Sequence, residues 1–114
     1  MVIPYESVLL RIFIGELDKH NHRPLYEAIV LAARERHLAG ATVLRGTLAY
    51  GASSRLHTAK ILRLSEDLPV VIEIVDSEEK INAFLPVLQE LMTSGLVTLE
   101  KVKVIQYGQA PGQK

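Results

Sequence analysis

The chain has 114 residues, 13 of them basic and 13 acidic, and no cysteine. The length suits one domain, and the missing cysteines exclude a disulfide framework, a thiolate metal site and a thiol nucleophile. A formal net charge of zero argues against general binding to nucleic acid, which should be met by a clearly basic surface.

Residues 7–15 predict a strand, rich in β-branched and aliphatic residues and closed by Gly15. Both of its faces are mostly apolar, so it should be central and covered on both sides, with Arg11 the exception beside Leu9 and Phe13. Residues 16–23 are polar and loop-like. Pro24 suits the first turn of a helix. Leu25, Ala28, Ile29, Ala32 and Ala33 recur at helical spacing, and Gly40 is the expected stop, giving a helix over 24–38. Residues 42–50 predict a second strand, which Gly46 interrupts with a bulge or a close backbone approach. Residues 51–64 open on a Gly-Ala-Ser-Ser loop signal, and the stretch from His57 to Leu64 suits either a helical turn or an extended arm.

Residues 69–75 predict the third strand, whose outer face Glu73 breaks just as Arg11 breaks the first. Asp76, Ser77, Glu78 and Glu79 open a second helix, a capping side chain followed by acids at the positive end of the dipole. Ile81, Phe84, Leu85, Leu88, Leu91 and Met92 form its buried stripe. Pro86 predicts a kink or a division into two short helices, and Gly95 ends the pattern. A fourth strand over 98–107 places Val102 and Val104 inward and Lys101 and Lys103 on the other face.

This order predicts an α+β, ferredoxin-like β-α-β-β-α-β sandwich, with an antiparallel sheet of order 4-1-3-2 and helices on one face. The first strand is expected next to the third and parallel to it. One domain covers 1–114, with an ordered core over about 5–107 and a frayed tail at 108–114. The uncovered sheet face carries Leu9, Phe13, Val71 and Val75, too much aliphatic surface to leave wet. A homo-oligomer that packs these faces together follows. Arg11 and Glu73 should then form an ion pair, because an unpaired charge on a buried face is costly. The alternative is two unrelated charges facing solvent. No apolar run approaches the ~20 residues of a membrane span, and the N-terminus lacks the pattern of a secretory signal, so the expected location is cytoplasmic.

Residues 36–65 hold no acid but contain Arg36, Arg45, Arg55, Lys60, Arg63, His37 and His57. Gly46 and Gly51 would let backbone donors approach a ligand closely. An anion or phosphate site is one reading of this segment, and a solvated basic loop is the other. His20 and His22 form a loop pair without a metal-ligand spacing. Ser53, Ser54 and His57 lack an acidic partner and an elbow motif, so no catalytic residue and no metal site is assigned. Phosphate-binding glycine motifs are absent, and Tyr5, Tyr26, Tyr50 and Tyr107 are too scattered for an RNA-stacking platform.

The segments Gly40-Ala41-Thr42-Val43-Leu44-Arg45-Gly46, Ala49-Tyr50-Gly51 and Asp67-Leu68-Pro69-Val70-Val71-Ile72-Glu73 with Asp76 make a specific set. With Pro24-Leu25-Tyr26-Glu27-Ala28 and Phe84-Leu85-Pro86, the chain resembles, over about residues 5–107, a family of PII-like proteins catalogued as a domain of unknown function. The resemblance implies a ferredoxin-like subunit, a homotrimer with its sheets facing inward, and adenine nucleotides bound in clefts between subunits. It also implies that residues 46–51 and 52–64 correspond to the loop after the second strand and its base. That loop would contact a partner protein such as a membrane transporter. Residues 93–98 take the place of the loop before the fourth strand, with one glycine and no lysine, which suits AMP or ADP better than ATP. No tyrosine in 52–64 matches the uridylylation site of PII proteins.

The expected function is a PII-like regulatory module that needs no cofactor and takes an adenine nucleotide or similar anion. Its candidate ligand-binding residues are Arg45, Gly46, Gly51, Arg55, His57, Arg63, Gly95, Lys101 and Lys103. A small enzyme or a metal-ion-handling trimer on the same scaffold is the alternative, because fold does not fix function. A structural trimer without a ligand is a third reading.

Overall fold

The computed structural model describes residues 3–50, 57–58 and 67–109. The expectations for Gly51, Arg55, Arg63 and most of the tail therefore lie outside the described residues.

The first strand, β1 (Glu6–Gly15), alternates strictly in what its side chains meet. Val8, Leu10, Ile12 and Ile14 are buried in the main core, while Leu9, Arg11 and Phe13 occupy the opposite face. Residues 16–23, expected as plain loop, contain a minimal hairpin of β2 (Lys19–His20) and β3 (Arg23–Pro24). Asn21 and His22 both have positive φ, 49° and 67°, the backbone of a two-residue hairpin turn. The signal was weak because His22 stands where such turns favour glycine.

The helix α1 (Leu25–Glu35) buries Leu25, Ile29 and Ala33. It ends earlier than expected, and the stop is His37 rather than Gly40. His37 adopts φ 60°, its N–H donates to Arg34 O at 3.1 Å, and Leu38 N donates to Ala33 O at 3.1 Å. These are the two bonds of a Schellman cap, with histidine in the left-handed position.

The second strand is also shorter than predicted. β4 (Thr42–Arg45) stops at the glycine, and β5 (Leu48–Ala49) leaves the sheet to pair with β6 (His57–Thr58). Gly46 marks a close approach: its N–H donates to Pro69 O at 2.7 Å, and a Cβ there would lie 2.7 Å from Pro69 Cγ.

Next, β7 (Pro69–Asp76) leads into α2 (Glu78–Leu91), where the Ser77 hydroxyl accepts from Lys80 N at 3.2 Å as the helix cap. Ile81, Phe84 and Leu88 are fully buried on α2, each contributing about 1.5–3 kcal/mol by burial. Pro86 does not divide the helix in two. Both Pro86 and Asn82, whose carbonyl loses its helical partner, are exposed, so the proline is tolerated on the solvent side of the helix. The helix ends at Leu91, not Gly95, because Met92 is already extended. β8 (Leu96–Lys103) starts and ends earlier than the expected 98–107.

The main sheet has the order β4-β7-β1-β8, which is the expected 4-1-3-2. The expected parallel pairing of the first and third strands is corrected: β1 and β7 are antiparallel. The crossover through α1 makes β4 parallel to β1, and β7 fills the slot between them in the opposite sense. Among the described residues the helices cover one face only, so β1 has no helix over its other side.

On the open face, Arg11 lies opposite Glu73 and Thr98. The expected ion pair is present, with Arg11 Nε donating to Glu73 Oε2 at 2.9 Å. Its Nη1 also reaches Glu100 Oε2 at 3.3 Å. The hydrogen bond to Glu73 is the main reason that the Arg11 guanidinium is held above its ordinary pKa. Val102, opposite Ser7, is half-buried on this same face, whereas Lys101 and Lys103 lie in register with Val8 and Glu6. Among the described residues no helix is long and apolar enough to cross a membrane.

Candidate functional site

Several chain segments converge at one end of the sheet, because β1 finishes there at Gly15, β4 finishes at Arg45 and β7 begins at Pro69. Both stems of the long connection between β4 and β7 are thus held against the residues that follow β1. On the outgoing stem, Arg45 Nε donates to Glu16 Oε2 at 2.5 Å. On the returning stem, Glu16 N donates to Leu68 O at 2.8 Å, and Leu17 N donates to Asp67 Oδ1 at 2.8 Å. The Gly46–Pro69 bond ties the stems to each other.

Gly15 permits this arrangement: a Cβ there would lie 2.6 and 2.7 Å from the two Asp67 carboxylate oxygens. Its own N–H donates to Asp18 Oδ2 at 2.9 Å. Residues 15–17 therefore act as a clasp on both stems.

Of the candidate ligand residues, Arg45, Gly46 and Gly95 share this end of the sheet. Arg45 is more than half exposed, but it is not without a partner, because Glu16 reaches it from 29 residues earlier. The Gly46 N–H is already committed to Pro69. Gly95 sits three strand positions from β4, about 14 Å away at the usual inter-strand spacing. Its φ of +124° accounts for the glycine, as does the closeness of Phe13 O, which would lie 2.7 Å from a Cβ at this position.

Lys101 and Lys103 lie at the opposite end. Seven residues of β1 separate Phe13, opposite Leu96, from Glu6, opposite Lys103, or about 23 Å of strand. These two lysines border a cavity of about 740 Å³ with Ser7 and Glu78. Lys103 Nζ stands 5.9 Å above the Tyr5 ring. His57 pairs through its backbone with Ala49, and Gly51, Arg55 and Arg63 lie outside the described residues. Among the described residues no group of three or more His, Asp or Glu side chains is placed to hold a metal ion.

Sequence reasoning missed Glu16 and the anchoring role of Asp67. Glu16 carried no signal, since its partner is remote in sequence. Asp67 stands two residues before the third strand, and Gly15 is the last residue of the first; those two boundary positions were the available hint.

The profile of the DUF190 family, described as Uncharacterized ACR, matches residues 7–104. A UPF0166 protein of Aquifex aeolicus is 43% identical over 97 residues, covering 85% of this chain and 91% of that relative. Another UPF0166 protein, from Methanocaldococcus jannaschii, is 38% identical over 95 residues, covering 82% and 87%. Among solved structures, the chain is similar to CPII of Thiomonas intermedia K12, a nitrogen regulatory PII-like protein bound to ADP, AMP and bicarbonate. The TM-score is 0.70 at 17% identity, covering 90% of this chain and 91% of that one. A PII-like protein of Thermus thermophilus superposes with a TM-score of 0.64 at 21% identity, covering 92% and 94%. The chain therefore belongs to the DUF190 family, and its ferredoxin-like fold is that of the PII-like proteins.

Proposed function

We propose that the protein is a PII-like regulator, a homotrimer that binds an adenine nucleotide or similar anion between copies and signals to a partner protein through residues 51–64. The observation that carries this reading is the separation of the two basic groups. Arg45 lies level with Ile14 at one end of the sheet, and Lys101 and Lys103 lie level with Val8 and Glu6 towards the other, about 20 and 26 Å further along the strands. That is too far for them to hold one phosphate group within a single chain. A site shared between copies resolves the separation, with Arg45 from one copy and the lysines from the next. The open sheet face, where Leu9, Phe13, Val71 and Val75 surround the Arg11–Glu73 pair, offers the surface for such packing. The ADP and AMP held by CPII support the choice of ligand.

Size-exclusion chromatography with light scattering, followed by titration calorimetry with AMP, ADP and ATP, tests the reading. A trimer that takes up AMP or ADP more tightly than ATP is expected. A monomer removes the shared cleft, and no heat with any of the three at millimolar concentration removes the nucleotide. No observation among the described residues favours the enzyme or metal-handling alternative.

A further inference from the structure

We infer that Glu16 is a built-in competitor for the anion at Arg45, a specificity-setting residue that occupies the guanidinium until a phosphate displaces it. The inference rests on the reading of Arg45 as an anion ligand and deepens it.

Three observations carry it. First, the Glu16 carboxylate takes the Arg45 Nε–H in a short, charge-assisted bond of 2.5 Å. The approach of a second anion therefore meets a like charge already in place. Second, Glu16 is the better-held partner. Its side chain is 27% exposed against 57% for Arg45, and its backbone N–H is fixed to Leu68 O at 2.8 Å. The arginine can turn to a new partner, while the carboxylate is preset where it stands. Third, a guanidinium presents five donors in a planar fork that matches phosphate in bidentate fashion, and the single Nε contact with Glu16 leaves that pairing unused. A dianionic phosphate offers Arg45 a stronger partner than the lone carboxylate does.

The exchange would take place at the stem of the β4–β7 connection, because Glu16 is also the residue whose backbone holds Leu68. Ligand at Arg45 would thus remove the side-chain tie between the outgoing stem and the clasp, leaving intact the returning stem's ties from Glu16 N to Leu68 O and from Leu17 N to Asp67 Oδ1. A ligand shifts such an equilibrium only by its unequal affinity for the two arrangements, and Glu16 supplies that inequality.

Titration calorimetry with AMP on the wild-type protein and on Glu16→Gln, Arg45→Gln and the double variant tests the idea. Glutamine keeps the size of the side chain and removes its charge. Glu16→Gln should tighten AMP binding about two- to five-fold, the range expected for an exposed ion pair. It should give no gain when Arg45 is already glutamine. AMP binding that is unchanged or weaker in a folded Glu16→Gln protein overturns the competitor role while leaving the site itself standing. No AMP binding by either wild type or Glu16→Gln overturns the site and the competitor role together. If Glu16→Gln fails to fold, the wild-type protein decides through the Arg45 Nε–H resonance. A shift on saturation with AMP supports the exchange, and an unmoved resonance refutes it.

Discussion

Gly15→Ala is a small change with a calculable consequence. The new Cβ would lie 2.6 Å from Asp67 Oδ2, 2.7 Å from Oδ1 and 2.9 Å from Cγ, all closer than van der Waals contact allows. Gly15 is in ordinary extended backbone, so the cost is one of space and not of φ. The Asp67 side chain must swing away, and its bond from Leu17 N at 2.8 Å is lost. Losing one hydrogen bond near the surface, with some residual crowding, should cost about 1–2 kcal/mol. For a domain of this size that corresponds to a fall in melting temperature of about 4–8 °C. Thermal denaturation at fixed protein concentration reads it directly. The decisive comparison is a double-mutant cycle: with Asp67→Ala in place the obstacle is gone, and Gly15→Ala should become nearly neutral. An equal loss from Gly15→Ala in both backgrounds would refute the steric argument.

Two other outcomes follow from the same reasoning. Gly95→Ala forces an L side chain into φ +124° and against Phe13 O, so it should destabilise by roughly 2–4 kcal/mol, measured by urea denaturation; a change under half of that refutes the assignment. Arg11→Ala leaves Glu73 and Glu100, on the two strands flanking β1, without their shared cation, and should weaken the proposed self-association about tenfold in sedimentation equilibrium; an unchanged association constant counts against the open face as the interface.

The β-α-β-β-α-β order and the Arg11–Glu73 pair were legible in the sequence because they depend on local periodicity and on two polar interruptions in apolar strands. Strand direction was misjudged at β1 and β7 because nothing local to either strand records which neighbour will fill the crossover slot. The stop of α1 was misplaced because His37 takes the place usually held by glycine. The candidate site was legible only in part. A basic, acid-free stretch was visible, but Glu16 lies outside it in sequence and inside it in space. Ion pairs between distant segments leave no periodic trace, so the charge on Arg45 looked free when it was not.

One carboxylate reaches two places that the chain visits far apart. Buried Asp76 accepts from Ala39 N at 2.8 Å through Oδ2 and from Ser77 N at 2.7 Å through Oδ1. Ala39 belongs to the link between α1 and β4, and Ser77 to the entry of α2. Tyr107 then closes on Ala39 from beyond β8, its hydroxyl donating to Ala39 O at 2.6 Å. The first half of the chain, the second half and the segment after the last strand are thereby fastened at a single residue. Local opening at any one of them exposes hydrogen-bonding groups in the others, so these three connections behave as one cooperative unit at the end of the sheet remote from Arg45.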